Sequence, residues 1–211
     1  MINITEQQKN KQTTNPQLPI EKLQFVPGIW VNGKYLWLQN CTEKVIYDEE
    51  LIMKVKQEQI HSKIRFSSVY VSNHGNQPKE IKILAMNHFL NVGQDHFTFV
   101  SPTDRHIFHH ANKKVFLVNA QYNHSGIKEY TTMPLWKAYT DQIWSSLQKG
   151  NLKYQPMMKG SAASIFAIKT TIAPHETSKM TTWTISGSNK NELISIEQAL
   201  LKNTLAFPFK K

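Results

Sequence analysis

The chain of 211 residues carries 25 Lys and Arg against 15 Asp and Glu, is 40% hydrophobic and 10% aromatic, and has one cysteine. Its length suits one full domain or two small ones, the single Cys41 excludes disulfide scaffolds and cysteine-based zinc modules, and the apolar content excludes wholesale disorder. No apolar run reaches the roughly 18 residues of a membrane-spanning helix.

Residues 1–20 are polar, rich in Gln, Asn, Thr and Lys, and lack the apolar stretch of a secretory signal. They predict a flexible tail and a cytoplasmic location for a single domain over 21–211. Residues 25–38 read as a short segment, an Asn32-Gly33 turn and a strand, because Asn-Gly supplies the positive φ angles of a two-residue hairpin. Strands follow at 45–47 and at 51–56, where Leu51, Met53 and Val55 alternate with polar residues. Further strands are expected at 64–72, 81–85, 96–100 and 115–118, separated by polar turns.

The rhythm changes after Thr132. Leu135, Trp136, Tyr139, Ile143, Trp144 and Leu147 recur at three- and four-residue spacing between Pro134 and Gly150, which predicts an amphipathic helix at about 134–149. Strands resume at 164–170 and 179–186. Asn189 and Glu192 have capping-box spacing, and Leu193, Ile196, Leu200 and Leu201 describe a second helix at about 190–203. Eight to ten turn-separated strands with two helices predict a mainly β protein, an antiparallel β-sandwich of immunoglobulin-like or larger size. The turn Pro174-His175-Glu176 resembles the Pro-Gly-Glu turns of such sandwiches, including those attached to carbohydrate-active enzymes.

No phosphate-binding glycine loop, nucleophile elbow, HExxH helix or calcium loop occurs. Cys41 has no neighbour in sequence that would activate it and is expected to pack as a small apolar residue. The one concentration of chemistry is Asp95 and His96, then Asp104, His106, His109 and His110. Imidazole and carboxylate ligate transition metals and titrate near neutral pH. On an extended strand His106 and His110 share a face with Asp104, and His109 takes the other. This gives a minimal metal or acid/base set to which Asp95 or His96 would add; the simpler expectation is that no metal or cofactor is bound.

A second group is aromatic and basic: Trp136, Tyr139, Trp144 and Tyr154, interleaved with Lys137, Lys149 and Lys153. Such rings flanked by donors stack on sugars or bases or anchor a protein partner, although helical spacing would equally bury them against a sheet. The basic excess lies in the second half, where residues 106–211 hold 13 Lys and Arg against 5 acids. Of the cations 23 are Lys, which argues against a dedicated phosphate reader. The sequence therefore predicts a non-catalytic binding or scaffold protein whose second half takes a protein partner or an anionic polymer. Its alternatives are a carbohydrate-active or metal-dependent enzyme centred on the His/Asp cluster and a nucleic-acid binder.

Overall fold

Asn32 and Gly33 have φ of 49° and 76° and close the first hairpin, between β1 (Gln24–Val31) and β2 (Lys34–Trp37), with Trp30 opposite Tyr35. The computed structural model describes residues 22–90, 95–123 and 125–202; the predicted tail and residue 203 lie outside them. The remaining strands are β3 (Glu43–Ile46), β4 (Leu51–His61), β5 (Ile64–Asn73), β6 (Lys79–His88), β7 (Phe97–Val100), β8 (Ile107–Ala111) and β9 (Lys114–Gln121). They continue as β10 (Glu129–Pro134), β11 (Trp144–Ser146), β12 (Asn151–Leu152), β13 (Met157–Lys159), β14 (Ala162–Ile172) and β15 (Thr177–Gly187), before the helix α1 (Lys190–Lys202). None of the described helices is long and apolar enough to cross a membrane.

Two antiparallel sheets pack as a sandwich. One has five strands in the order β10-β14-β6-β1-β2; the other has eight in the order β13-β7-β8-β9-β15-β5-β4-β3. Side chains alternate across each strand, so Ile29, Ile83 and Phe166 of the smaller sheet meet Met53, Val69 and Val118 of the larger in one core. These sheets make it the larger kind of sandwich that the sequence allowed.

The outer faces are covered too. On the larger sheet Phe66, Phe108, Leu117 and Trp183 point outward and α1 seals them with Leu193 and Leu200. Its start is as the sequence predicts: Asn189 Oδ1 accepts from the Glu192 amide at 3.0 Å, and Glu192 Oε2 accepts from the Ser188 amide at 2.8 Å. On the smaller sheet Trp30, Leu84, Met86 and Ile165 are covered by residues 135–152.

That cover is not the expected helix. Pro134 ends β10, and two single 3-10 turns (Leu135–Lys137 and Asp141–Ile143) lead into the β11–β12 hairpin. Thr140 breaks any helix: its backbone is extended, and its hydroxyl donates to the Lys137 carbonyl at 2.9 Å and accepts from the Gln142 amide at 3.3 Å. Gly150, with φ of 63°, lies so close to the Trp30 ring that a Cβ would stand 2.6 Å from it. Beneath the hairpin the buried Lys82 ammonium donates to Glu129 and to the Gly150 carbonyl, both at 2.6 Å.

Candidate functional site: a polar cleft beside Tyr139 and His88

The His/Asp cluster of the sequence does not assemble in one place. Asp104 Oδ2 accepts from Ser101 Oγ at 2.7 Å and pairs with Lys190 Nζ at 2.5 Å, and Lys190 and Ser101 hold its carboxyl below the ordinary range. His106 Nε2 lies 2.5 Å from Glu197 Oε2. Both contacts tie α1 to the sheet. Asp95 and His110 are exposed, whereas His96 turns into the sandwich. Among the described residues no group of three or more His, Cys, Asp or Glu is placed to hold a metal ion.

His96 instead meets His109, which strand alternation puts on the inner face of β8. Their rings stack at 5.5 Å, and Thr98 Oγ1 lies 3.1 Å from His96 Nε2 and 3.0 Å from His109 Nδ1. Across the sandwich, His109 Nε2 is 2.8 Å from Ser164 Oγ of β14. These contacts form one chain in which each neutral imidazole donates from one nitrogen and accepts at the other, Ser164 and Thr98 donating or accepting in turn according to the tautomer. Burial pushes His96 down to about 4 and His109 well below the usual imidazole value, so both are neutral. With exposures of 2% and 0%, these rings brace the sheets and offer nothing to a ligand.

The accessible chemistry lies at the end of the sandwich where β6 finishes. His88 ends β6, paired with Gln24 of β1 and Ala163 of β14. Residues 38–42 cross from the smaller sheet to the larger, tied at one end by the Leu38 amide to the Pro27 carbonyl and at the other by the Val55 amide to the Thr42 carbonyl, both 2.8 Å. Between this crossing, the start of β1 and β4 opens a cleft of about 620 Å3. That lies within the roughly 300–1,000 Å3 typical of small-molecule sites.

Four amides (Gln24, Gln39, Asn40 and Gln57) line the cleft together with His88 and Tyr139. Tyr139 Oη is 3.3 Å from His88 Nε2, and His88 Nδ1 is 3.4 Å from the Phe89 carbonyl. The imidazole thus donates weakly to the backbone from Nδ1 and accepts from the phenol at Nε2. Burial lowers the pKa of His88 and raises that of Tyr139, so both are neutral at physiological pH. Phe25 and Leu90 add apolar surface. Cys41, expected to pack, is exposed along the same cleft.

Of the aromatic and basic set read from the sequence, only Tyr139 reaches the cleft. Trp136 is 68% exposed on the turn just before it, with Lys137 Nζ 4.8 Å from the ring centre. Trp144 is buried, edge-on to Tyr35 at 5.4 Å. Tyr154 is exposed and packs against Tyr130 at 5.9 Å, and Lys149 and Lys153 are exposed. The residues that sequence reasoning missed are His88 and the four amides. They come from separate segments, and no local spacing marks them.

No family model matches the chain, and no curated protein matches it. Solved structures do. A polysaccharide lyase superposes with a TM-score of 0.51 at 9% identity, over 85% of this chain and 27% of its own length. A candidate kojibiose phosphorylase from the human microbiome gives a TM-score of 0.43 at 13% identity, over 89% of this chain and 26% of its own. The chain spans about a quarter of the length of each structure. The likeness to the lyase is one of fold.

Proposed function

We propose that this protein is a carbohydrate-binding β-sandwich that holds its ligand in the cleft beside Tyr139 and His88. The observation that carries the reading is the convergence of four amides, a phenol and a neutral imidazole on one cleft that also exposes Phe25 and Leu90. Amides present a donor and an acceptor in one plane and so match neighbouring hydroxyls. Apolar side chains cover the C–H faces of a sugar ring, and a phenol serves both purposes. A protein-anchoring surface would instead centre on large buried aromatic hot spots. This keeps the expectation of a binding module but moves its surface from the aromatic stretch to the cleft. The fold shared with part of a polysaccharide lyase supports a sugar ligand only as context; the argument rests on the lining.

Titration calorimetry of the whole chain against a panel of soluble polysaccharides tests it. At least one is expected to bind, with Tyr139→Ala and Gln57→Ala each weakening it about three- to tenfold, the loss of one hydrogen bond of about 0.5–1.5 kcal/mol. Failure of every glycan to bind, with the variants still folded by circular dichroism, rejects the proposal.

A further inference from the structure

We propose that the cleft selects uncharged glycans and excludes polyuronates and other polyanions. This rests on the carbohydrate reading above and adds the ligand's charge class to it. A basic protein would ordinarily be matched to an acidic partner, and with 25 Lys and Arg this chain has the cations for one. Among the described residues that line the cleft there is none of them. None of the described residues that line it is Asp, Glu, Lys or Arg, in a chain of which 19% are charged.

The exclusion is built by strand alternation. Val55 and Gln57 of β4 face the cleft, and Val55 packs against the sandwich core. Lys54, Lys56 and Glu58 therefore project from the opposite side of the same strand. There Lys54 pairs with Glu43 at 3.3 Å and Lys56 pairs with Glu58. On the other wall, Lys137 lies over the Trp136 ring.

A carboxylate entering the cleft would exchange water for neutral amides, a phenol and a buried neutral imidazole, with no cation to offset the lost hydration. Such a transfer costs far more for a charged group than for a hydroxyl. Lysines elsewhere on the surface offer little help, because charges are screened over about 8 Å at physiological ionic strength. An uncharged sugar faces no such penalty, and its hydroxyls find donors and acceptors in equal supply along the amides. The neutral lining therefore discriminates by omission, against the chain's overall charge.

The test titrates the whole chain at 0.15 M salt with neutral oligosaccharides (from glucan, mannan and xylan) and with oligosaccharides of galacturonate and of alginate. A neutral saccharide is expected to bind with an affinity that changes less than about twofold between 0.05 and 0.5 M salt, since no counterions are released. Gln57→Ala is expected to weaken it three- to tenfold, and Gln57→Lys to create uronate binding that wild type lacks. Uronate binding that appears only at low salt and is unchanged in Gln57→Ala belongs to the lysine surface and upholds the proposal. Saturable uronate binding at 0.15 M that Gln57→Ala weakens, whether or not neutral sugars also bind, overturns the selectivity and leaves the carbohydrate reading standing. Absence of binding by either class overturns that reading and the selectivity with it.

Discussion

His109 of β8 and Ser164 of β14 stand 2.8 Å apart in the middle of the sandwich, and their hydrogen bond joins the two sheets. Both are fully buried, so neither atom can turn to water if the other is lost. Ser164→Ala removes little volume but leaves an imidazole nitrogen without a partner. It is expected to cost about 1–3 kcal/mol, the desolvation penalty of an unpaired polar group. Urea unfolding measures this, with Ser195→Ala on the exposed face of α1 as the control. Equal midpoints for both variants would show that the bridge contributes nothing.

The buried imidazoles, those of this network and His88 at the cleft, set an acid limit. Burial lowers the folded pKa of His88, His96 and His109 below the ordinary 6.5. The unfolded chain therefore binds protons that the folded chain refuses, and stability must fall as pH falls below about 6.5. His96 alone, held down to about 4, contributes about 3 kcal/mol of loss by the time it titrates in the fold. Melting temperatures recorded between pH 7.5 and 4 are expected to be level above 6.5 and to decline steadily below it. The Asp104 and Glu192 carboxyls, held below their usual values, add losses only at still lower pH. His109→Gln should lower stability at neutral pH and flatten the decline. A profile level down to pH 4.5 would mean that the rings are not held neutral.

What the sequence revealed follows from the range over which each signal acts. Alternation along β4, the strand-forming composition of β14 and β15, the Asn32-Gly33 hairpin and the Asn189 cap are local, and all are legible. His175 is a further case: it takes φ of 61° after Pro174, the position that glycine fills in the Pro-Gly-Glu turns it resembles. Residues 134–149 mislead because three- and four-residue spacing reports which side chains are covered, and irregular turns lying across a sheet bury Ile143 and Trp144, and Leu135 in part, as a helix would. The His/Asp cluster misleads for the opposite reason. His109 goes inside, as alternation predicted, but the three residues expected on the other face part company: Asp104 takes Lys190, His106 takes Glu197 and His110 stays exposed, choices set by an α1 that arrives from far along the chain. The cleft was illegible because a single Gln on β1, another on β4 and a Gln-Asn pair on a crossover become one surface only when two sheets close around them.

Trp136 and Trp144 separate the two readings of that aromatic stretch. Trp144 is 4% exposed among Trp30, Met86 and Leu152, so Trp144→Ala is expected to cost about 3–5 kcal/mol. Trp136 is open to solvent, and Trp136→Ala is expected to stay within about 0.5 kcal/mol of wild type. Thermal melts of both would decide. Large losses in both would place Trp136 against the core after all.

Glu197 is the carboxylate on which α1 depends. It is 2% exposed, yet Oε1 accepts from Trp183 Nε1 at 2.8 Å and from Asn119 Nδ2 at 2.9 Å, while Oε2 meets His106 Nε2 at 2.5 Å. These donors come from β15, from β9 and from the loop before β8, so one side chain fastens the helix to three parts of the sheet. Glu197→Ala would take this acceptor from all three donors under a helix that still covers them. The expected cost is about 3–5 kcal/mol, the range found when one partner of a buried pair is removed. Glu197→Gln keeps an acceptor for Trp183 or Asn119 but gives up the charge facing His106, and should cost less. Hydrogen exchange locates the effect: α1 amides should lose protection in Glu197→Ala before those of β5 and β14 do. Uniform loss across both sheets would mean that Glu197 acts on the whole sandwich rather than on the helix.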